Sequence, residues 1–356
     1  MGVPTFIVAT GCCDTAMVSG MLREHPDVLS LSEFFAQVAE LITPAAATEA
    51  FSPDAMDGRR FWSIIAAFRP YFCFARRHGV PIPELLYSCD NPNSRFSPLT
   101  GVPAILNAAL PHLTDDPDAL FDALQAEVKM WPRAPIGEHY RHLFGWLATR
   151  FDKRTWIERS NGSLNMTQSF LAIFPDARII HIARDGRDAA LAMREHIGFR
   201  LSVTLISLEQ FLGVNPLGSS DRSHIGRVPA ELQRFLPEPF DANAFRSFQI
   251  PLPVCGRSWA QQIEGGLKIL GTVPVDRLLT LRYEDFFVDP KGQLDRFAAF
   301  LGEEFVDEEW SARCAATVRP PRSTWRDLPK EEGRALTEAC RPGFEQLAAA
   351  GVQYEF

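Results

Sequence analysis

The sequence predicts an α/β fold built on a central parallel sheet, and three observations predict it. Short apolar, β-rich segments recur along the chain at TFIVAT (5–10), RTWIER (154–159), ARIIHIA (177–183) and RLLTLRY (277–283). Polar turns follow them, and then helical periodicity, in TAMVSGMLREH (15–25), DAALAMREH (188–196) and KGQLDRFAAFLG (291–302). Strand alternating with helix implies crossover connections, hence parallel strands covered on both faces. The third observation is size. With 356 residues, 46% of them hydrophobic, the chain can bury a large core as one big domain or two.

The first segment runs into ATGCCDTAM (9–17). Gly11 permits a tight bend, and Thr15 can cap a helix beginning near Ala16. Backbone N–H groups at such a helix start hold an anion without any side chain. The nucleotide signature GxxxxGK[ST] is absent, which argues against an ATPase-type loop with Mg²⁺. On the loop alone, an ordinary strand–turn–helix connection remains open. The 177–183 segment ends in Arg184, Asp185, Arg187 and Asp188. Two arginines at the carboxyl end of a parallel strand point into a ligand crevice and suit a bidentate phosphate contact. A surface Arg–Asp network is the alternative.

Two long stretches, 40–145 and 197–258, are rich in Phe, Pro and Trp and read as helices and loops. Insertions of this kind in an α/β frame form a lid or an acceptor pocket. Their aromatic segments, RRFWSIIAAFRPYFCFARR (59–77) and FRLSVTLISLEQFLGV (199–214), read first as core stripes and only second as pocket walls. The C-terminal part reads as a Pro-broken loop followed by a helix.

A net charge of −8 makes the chain a poor general binder of nucleic acid or heparin, so any bound anion needs a local cluster of donors. No stretch is long and apolar enough to span a bilayer. The N-terminus lacks the regions of a signal peptide, and seven cysteines make no disulfide framework, so a cytoplasmic location is expected. No His/Cys group has zinc spacing, and no metal is expected.

The third motif, LRYEDFFVDPKGQLDRFAAFLG (281–302), completes a set that resembles the sulfotransferase superfamily in its bacterial and tyrosylprotein-type branches. The parts follow in family order. FIVATGCCDTAMVSGMLREHPDVLSLSE resembles the 5′-phosphosulfate loop with its helix, the His-Pro pair and the following acid. WIERSNGSL resembles the W-x-x-K-x-P strand end, FPDARIIHIARDGRDAAL the 3′-phosphate motif, and RSTWRDLP the closing C-terminal loop. The resemblance covers most of the chain outside the two insertions. It implies one domain over 1–356 with a P-loop-like three-layer fold and mostly helical insertions.

It also implies a donor, 3′-phosphoadenosine 5′-phosphosulfate (PAPS), and transfer of its sulfonyl group to a hydroxyl or amine. Carried over position by position, Glu33 falls on the general base and Arg159 on a catalytic lysine. Arg184 falls on the 3′-phosphate arginine and Ala192 on its serine. Gly11, Cys12, Cys13, Asp14, Thr15 and Ala16 form the donor loop, and Ser323 and Arg326 belong to the loop that closes over the nucleotide. A capping role is the alternative for Glu33, and His25 reads as a packing residue at a helix end. The implied acceptor is a partly apolar small molecule, such as a lipid, glycolipid or secondary metabolite. A homodimer is compatible with the resemblance.

The chain departs from the family at the donor loop. Where the family has roughly T-G-[RK]-[SC]-G-T-T, Cys12 replaces the cation, Asp14 the glycine and Ala16 a hydroxyl. A lost charged hydrogen bond is worth about 1.5–3 kcal/mol. Three readings follow: a sulfotransferase in which other donors replace the loop cation, a fold reused with another donor and reactive loop cysteines, or a non-catalytic nucleotide-binding relative.

Overall fold

Among the described residues five strands, β1 (Thr5–Val8), β2 (Val28–Ser32), β3 (Thr155–Arg159), β4 (Arg178–Ala183) and β5 (Leu278–Arg282), pair in the order β2-β3-β1-β4-β5. Every pairing is parallel. The computed structural model describes residues 2–40, 44–91, 94–321 and 324–356. Four of the strands lie where apolar runs predict them. The fifth, β2, is VLSLS, whose alternating serines break the apolar run, yet all five residues are buried. Ser30 makes that burial tolerable by donating its hydroxyl to Ser19 O at 3.1 Å.

The strand order places β1 in the middle. After β1 the chain crosses to β2 and β3 on one side, then to β4 and β5 on the other. Connections diverging from one strand open a crevice at its carboxyl end, and in α/β sheets ligands bind there. Alternation along β1 sends Phe6 to one face of the sheet and Ile7 to the other. Ile7, Ile157, Ile180 and Ile182 share a core with Val18 of helix α1 (Ala16–Arg23) and with Leu294 and Phe297 of the helix Pro290–Leu301. On the opposite face Phe6 stacks on Phe170 at 4.4 Å, and Phe144 meets Trp156 edge-on at 4.7 Å. The helices Leu252–Leu270 and Lys330–Ala349 pack together on the same unit. Trp259, fully buried, lies between Gly186 and Gly343, and a Cβ at either glycine would come within 2.4 Å of its ring.

The chain forms two compact units. The sheet belongs to the first, made of Met1–Ser32, Gly137–Met193 and Pro251–Phe356. The second comprises Glu33–Ile136 and Arg194–Ile250 and is helical, with helices such as Pro70–Arg77, Pro117–Val128 and Ile197–Leu212. Its core joins Tyr71, Phe72 and Phe74 to Leu201, Leu205 and Phe245. The two aromatic segments therefore supply core to this unit. His196 opens the Ile197–Leu212 helix by accepting the Phe199 N–H at Nδ1, 3.0 Å. Its other ring nitrogen then carries the proton and donates to Glu84 Oε1 at 2.9 Å.

Candidate active site

The turn after β1 runs from Ala9 to Thr15 and lies at the crevice. Cys12 and Asp14 both take left-handed backbone, with φ of 59° and 56°. Such conformations cost a non-glycine residue about 1–2 kcal/mol, least for Asp and Asn. Position 14 therefore suits the glycine of the family pattern, and Asp is a side chain that can stand in for it. Helix α1 begins at Ala16 as expected, but the Thr15 side chain makes no capping bond, contrary to the expectation for that position. Among the described residues, no N–H from Cys13 to Ala16 is spent on a protein acceptor. These four amides open α1 as an anion-binding helix start would.

The two preceding amides are spent. Gly11 N–H donates to Gln262 Oε1 at 3.0 Å, and Cys12 N–H to Asn161 Oδ1 at 2.9 Å. Arg184, just past β4, donates from Nη1 to Cys12 O at 3.0 Å and lies over the Tyr283 ring at 4.7 Å. Its Nε is buried with no partner among the described residues. Tyr283 in turn donates its hydroxyl to Asp14 Oδ2 at 2.6 Å. Burial and the Asp14 carboxylate push the phenol above its ordinary range, so Tyr283 keeps its proton and covers part of the Asp14 charge. Beside this group lies a cavity of about 680 Å³ lined by Asp14, Met17, Met21, Tyr283, Val318 and Arg319 among others. Mostly apolar walls with a few charged side chains describe a small-molecule site, and the volume lies inside the usual range of about 300–1,000 Å³.

Arg159 ends β3 and is buried. It donates from Nε to Ser19 Oγ at 2.9 Å and from Nη2 to Ser32 Oγ at 2.6 Å. Arg187 is already paired, although with Asp188 and Arg326 it lines a second cavity of about 420 Å³. It forms a bidentate pair with Asp185 at 2.9 and 2.7 Å and gives a further bond to Glu355 O. Its guanidinium also packs 3.7 Å from the Trp325 ring centre, and the Trp325 N–H donates to Asp188 Oδ1 at 2.7 Å. Arg326 packs on Trp325 as well, at 4.9 Å. Ala192 is half-buried on the helix Gly186–Glu195, and Ser323 lies outside the described residues.

His25 is structural. Its Nδ1 accepts from Asp27 N–H at 3.1 Å, its Nε2 meets Phe305 O at 2.9 Å, and Trp310 packs edge-on against it. Glu33, the first residue of the second unit, is 4% exposed with φ of 59°. It stands at the N-cap position of the helix Phe34–Ala39, where its side chain makes no helix-capping bond. Within its own unit its charge acts on His196. Burial opposes protonation of that imidazole, but the Glu84 bond and the Glu84 and Glu33 charges outweigh it and raise the pKa.

Cys13 is fully buried, its Sγ 2.8 Å from Thr10 Oγ1. Burial pushes the thiol up to about 11, outweighing the Thr10 bond and the Arg184 charge. This counts against the reading in which Cys13 is a reactive loop thiol and agrees with a small residue filling the turn. About one Cys13 in ten thousand is then thiolate at pH 7, and alkylation of the Cys13 peptide by iodoacetamide, followed by mass spectrometry, is expected to be much slower than for a free thiol. Labelling at the free-thiol rate would restore Cys13 as a candidate nucleophile.

Sequence reasoning missed the partners of the loop. Tyr283 lies in a quoted motif but carried no assigned role, and Asn161 sits in a quoted strand end. Gln262, in the middle of a distant helix, leaves no local signal at all.

Residues 165–318 match the family model described as the sulfotransferase domain. Over these residues the chain is similar to the sulfotransferase domain family. The matched segment holds Arg184 and Tyr283, whereas the donor loop, Glu33 and Arg159 precede it. No curated protein matches the sequence. Among solved structures, a sulfotransferase from Alicyclobacillus acidocaldarius is 17% identical, covering 100% of this chain and 98% of its own, with a TM-score of 0.40. The sulfotransferase STF9 from Mycobacterium avium is 15% identical, covering 99% of this chain and 78% of its own, with a TM-score of 0.46.

Proposed function

We propose that this protein transfers a sulfonyl group from PAPS to a hydroxyl or amine of a partly apolar small-molecule or lipid-like acceptor. The observation that carries the reading is Arg184. A buried guanidinium at the crevice has one N–H on the donor loop and a second, Nε, without a partner among the described residues. A buried donor left unspent is costly, and a phosphate oxygen would satisfy it with a charged bond. The neighbouring cavity beside α1 offers Met17, Met21 and Val318 as apolar walls for a purine, and the amides of Cys13 to Ala16 are available to the 5′ anion.

PAPS supplies the activated sulfonyl group, and the chain supplies the rest. Arg159 brings a fixed positive charge for the oxygen on which charge develops, held by two serine hydroxyls. Glu33 takes the acceptor proton. Its left-handed backbone is the sort of strain that accompanies function. The acceptor pocket is assigned to the insertions 40–145 and 197–258 that the sequence singles out.

Calorimetry with adenosine 3′,5′-bisphosphate, the desulfonated donor, tests the reading. Binding is expected, and its absence at millimolar ligand overturns it. Glu33→Gln is expected to keep that binding while losing turnover on phenolic and long-chain alcohol acceptors by about a hundredfold or more. Unchanged turnover would remove Glu33 as the base. A second reading, a nucleotide-binding relative that transfers nothing, is favoured by the two loop amides already spent on Gln262 and Asn161. Nucleotide binding without transfer to any acceptor would support it.

A further inference from the structure

An anion-binding turn works by leaving N–H groups unpaired until the ligand arrives. Here the first two amides after the Gly11 bend already have acceptors, both of them side-chain amide oxygens. Each such oxygen carries a partial negative charge where a sulfonate or phosphate oxygen would accept. The two are not equivalent. Asn161 has a short side chain on a fixed backbone, in the turn just after β3 and before Gly162 at φ 71°. Gln262 reaches in from the helix Leu252–Leu270 on a longer, half-buried side chain. Its amide nitrogen is held only loosely, 3.3 Å from Ser258 O and 3.4 Å from Ser258 Oγ. Of the two, Gln262 can leave.

We propose that Gln262 is an intramolecular competitor of the anion at the donor loop: its Oε1 caps the Gly11 N–H, and a tetrahedral oxyanion engages that amide only by displacing it. The identity of the natural anion rests on the sulfonyl-donor reading, but the capping does not. Gln262 thereby sets how much of the loop is open to a ligand. With it in place the anion has the amides of Cys13 to Ala16, and with it displaced the site extends to Gly11. The competition costs about one neutral hydrogen bond, a factor of about three to ten in affinity.

The test uses the full chain labelled with ¹⁵N-glycine and follows the Gly11 amide resonance while sodium sulfate is added. Gln262→Met keeps the length of the side chain and removes the acceptor. Its Gly11 resonance is expected to shift at a sulfate concentration about three to ten times lower than in the wild type. Gln262→Glu keeps the acceptor and adds a charge, so sulfate should bind more weakly than to the wild type. Gln262→Ala reads the same release as methionine should that variant fail to fold. A methionine or alanine variant no better than the wild type, a glutamate variant equal to it, or no shift in any protein overturns the proposal.

The same proteins are then titrated with adenosine 3′,5′-bisphosphate. If sulfate distinguishes the variants while no protein binds the nucleotide, the cap stands and the donor reading falls. If all bind the nucleotide and sulfate fails to distinguish them, the donor reading stands and the cap falls.

Discussion

Replacing Arg184 with alanine is expected to weaken binding of adenosine 3′,5′-bisphosphate about a hundredfold or more. A guanidinium can give a phosphate two charge-assisted bonds at once, each worth about 1.5–3 kcal/mol, and 1.4 kcal/mol is a factor of about ten. Two such bonds at the low end already give a hundredfold. Arg184 is arranged for this task. The Tyr283 ring lies 4.7 Å from its guanidinium carbon, Nη1 is tied to Cys12 O at 3.0 Å, and Nε remains. Because the Cys12 bond also shapes the loop, loss of binding in the alanine variant alone would not separate contact from scaffold. Arg184→Lys does so. It restores the charge without the fork, so an intermediate affinity, about tenfold below the wild type, is expected if the group touches phosphate. Calorimetry on the three proteins decides it, and an alanine variant that binds like the wild type would remove Arg184 from the donor site.

Much of this arrangement is legible in the sequence where the signal is local. β1, β3, β4 and β5 are runs of apolar residues bounded by polar turns, and each lies within two residues of its expected end. β2 is not such a run, because Ser30 and Ser32 interrupt it, and only the fold around Ser19 and Arg159 accommodates their hydroxyls. The place of the donor loop is legible from Gly11 and the helix that follows. What fills the loop is not. Gln262 is 251 positions from Gly11 and Asn161 is 149 from Cys12, and no periodicity or cap signal links residues so far apart. The same limit explains Arg187. Arg184 and Arg187 look alike in the string ARDGRD, and only the backbone turn into the helix Gly186–Glu195 sends one to the loop and the other back to Asp185.

The motif residues also differ in how far their company discriminates them. A carboxylate after a strand can be a helix or turn cap as well as a base. The strained backbone and missing cap at Glu33 tell against the first. A cysteine near a helix start gains some acidity from the dipole, but the field of a helix end is a small effect beside full burial. At Cys13 burial wins, and the thiol moves up.

The same competition between burial and charge governs His181, where it yields a large pH effect. His181 sits at the centre of β4, opposite Val8 of β1 and Thr280 of β5, and is 0% exposed. Neither ring nitrogen has a partner among the described residues, and burial alone lowers its pKa from 6.5 to about 4. Above pH 6.5 the imidazole is neutral in both the folded and the unfolded chain. As the pH falls from 6.5 towards 4, the unfolded chain takes up a proton that the folded chain refuses, so stability is lost across that window and the loss levels off below it. A tenfold change in proton affinity is worth about 1.4 kcal/mol, so this residue alone contributes a loss of about 3 kcal/mol. His181→Leu, of similar size and without a titrating group, should be at least as stable as the wild type at pH 7.5. Urea unfolding at both ends of the window should then find the variant losing about 3 kcal/mol less than the wild type on acidification, with carboxylate effects common to both. Parallel losses in the two proteins would mean that His181 is protonated in the folded chain and has a partner for its charge.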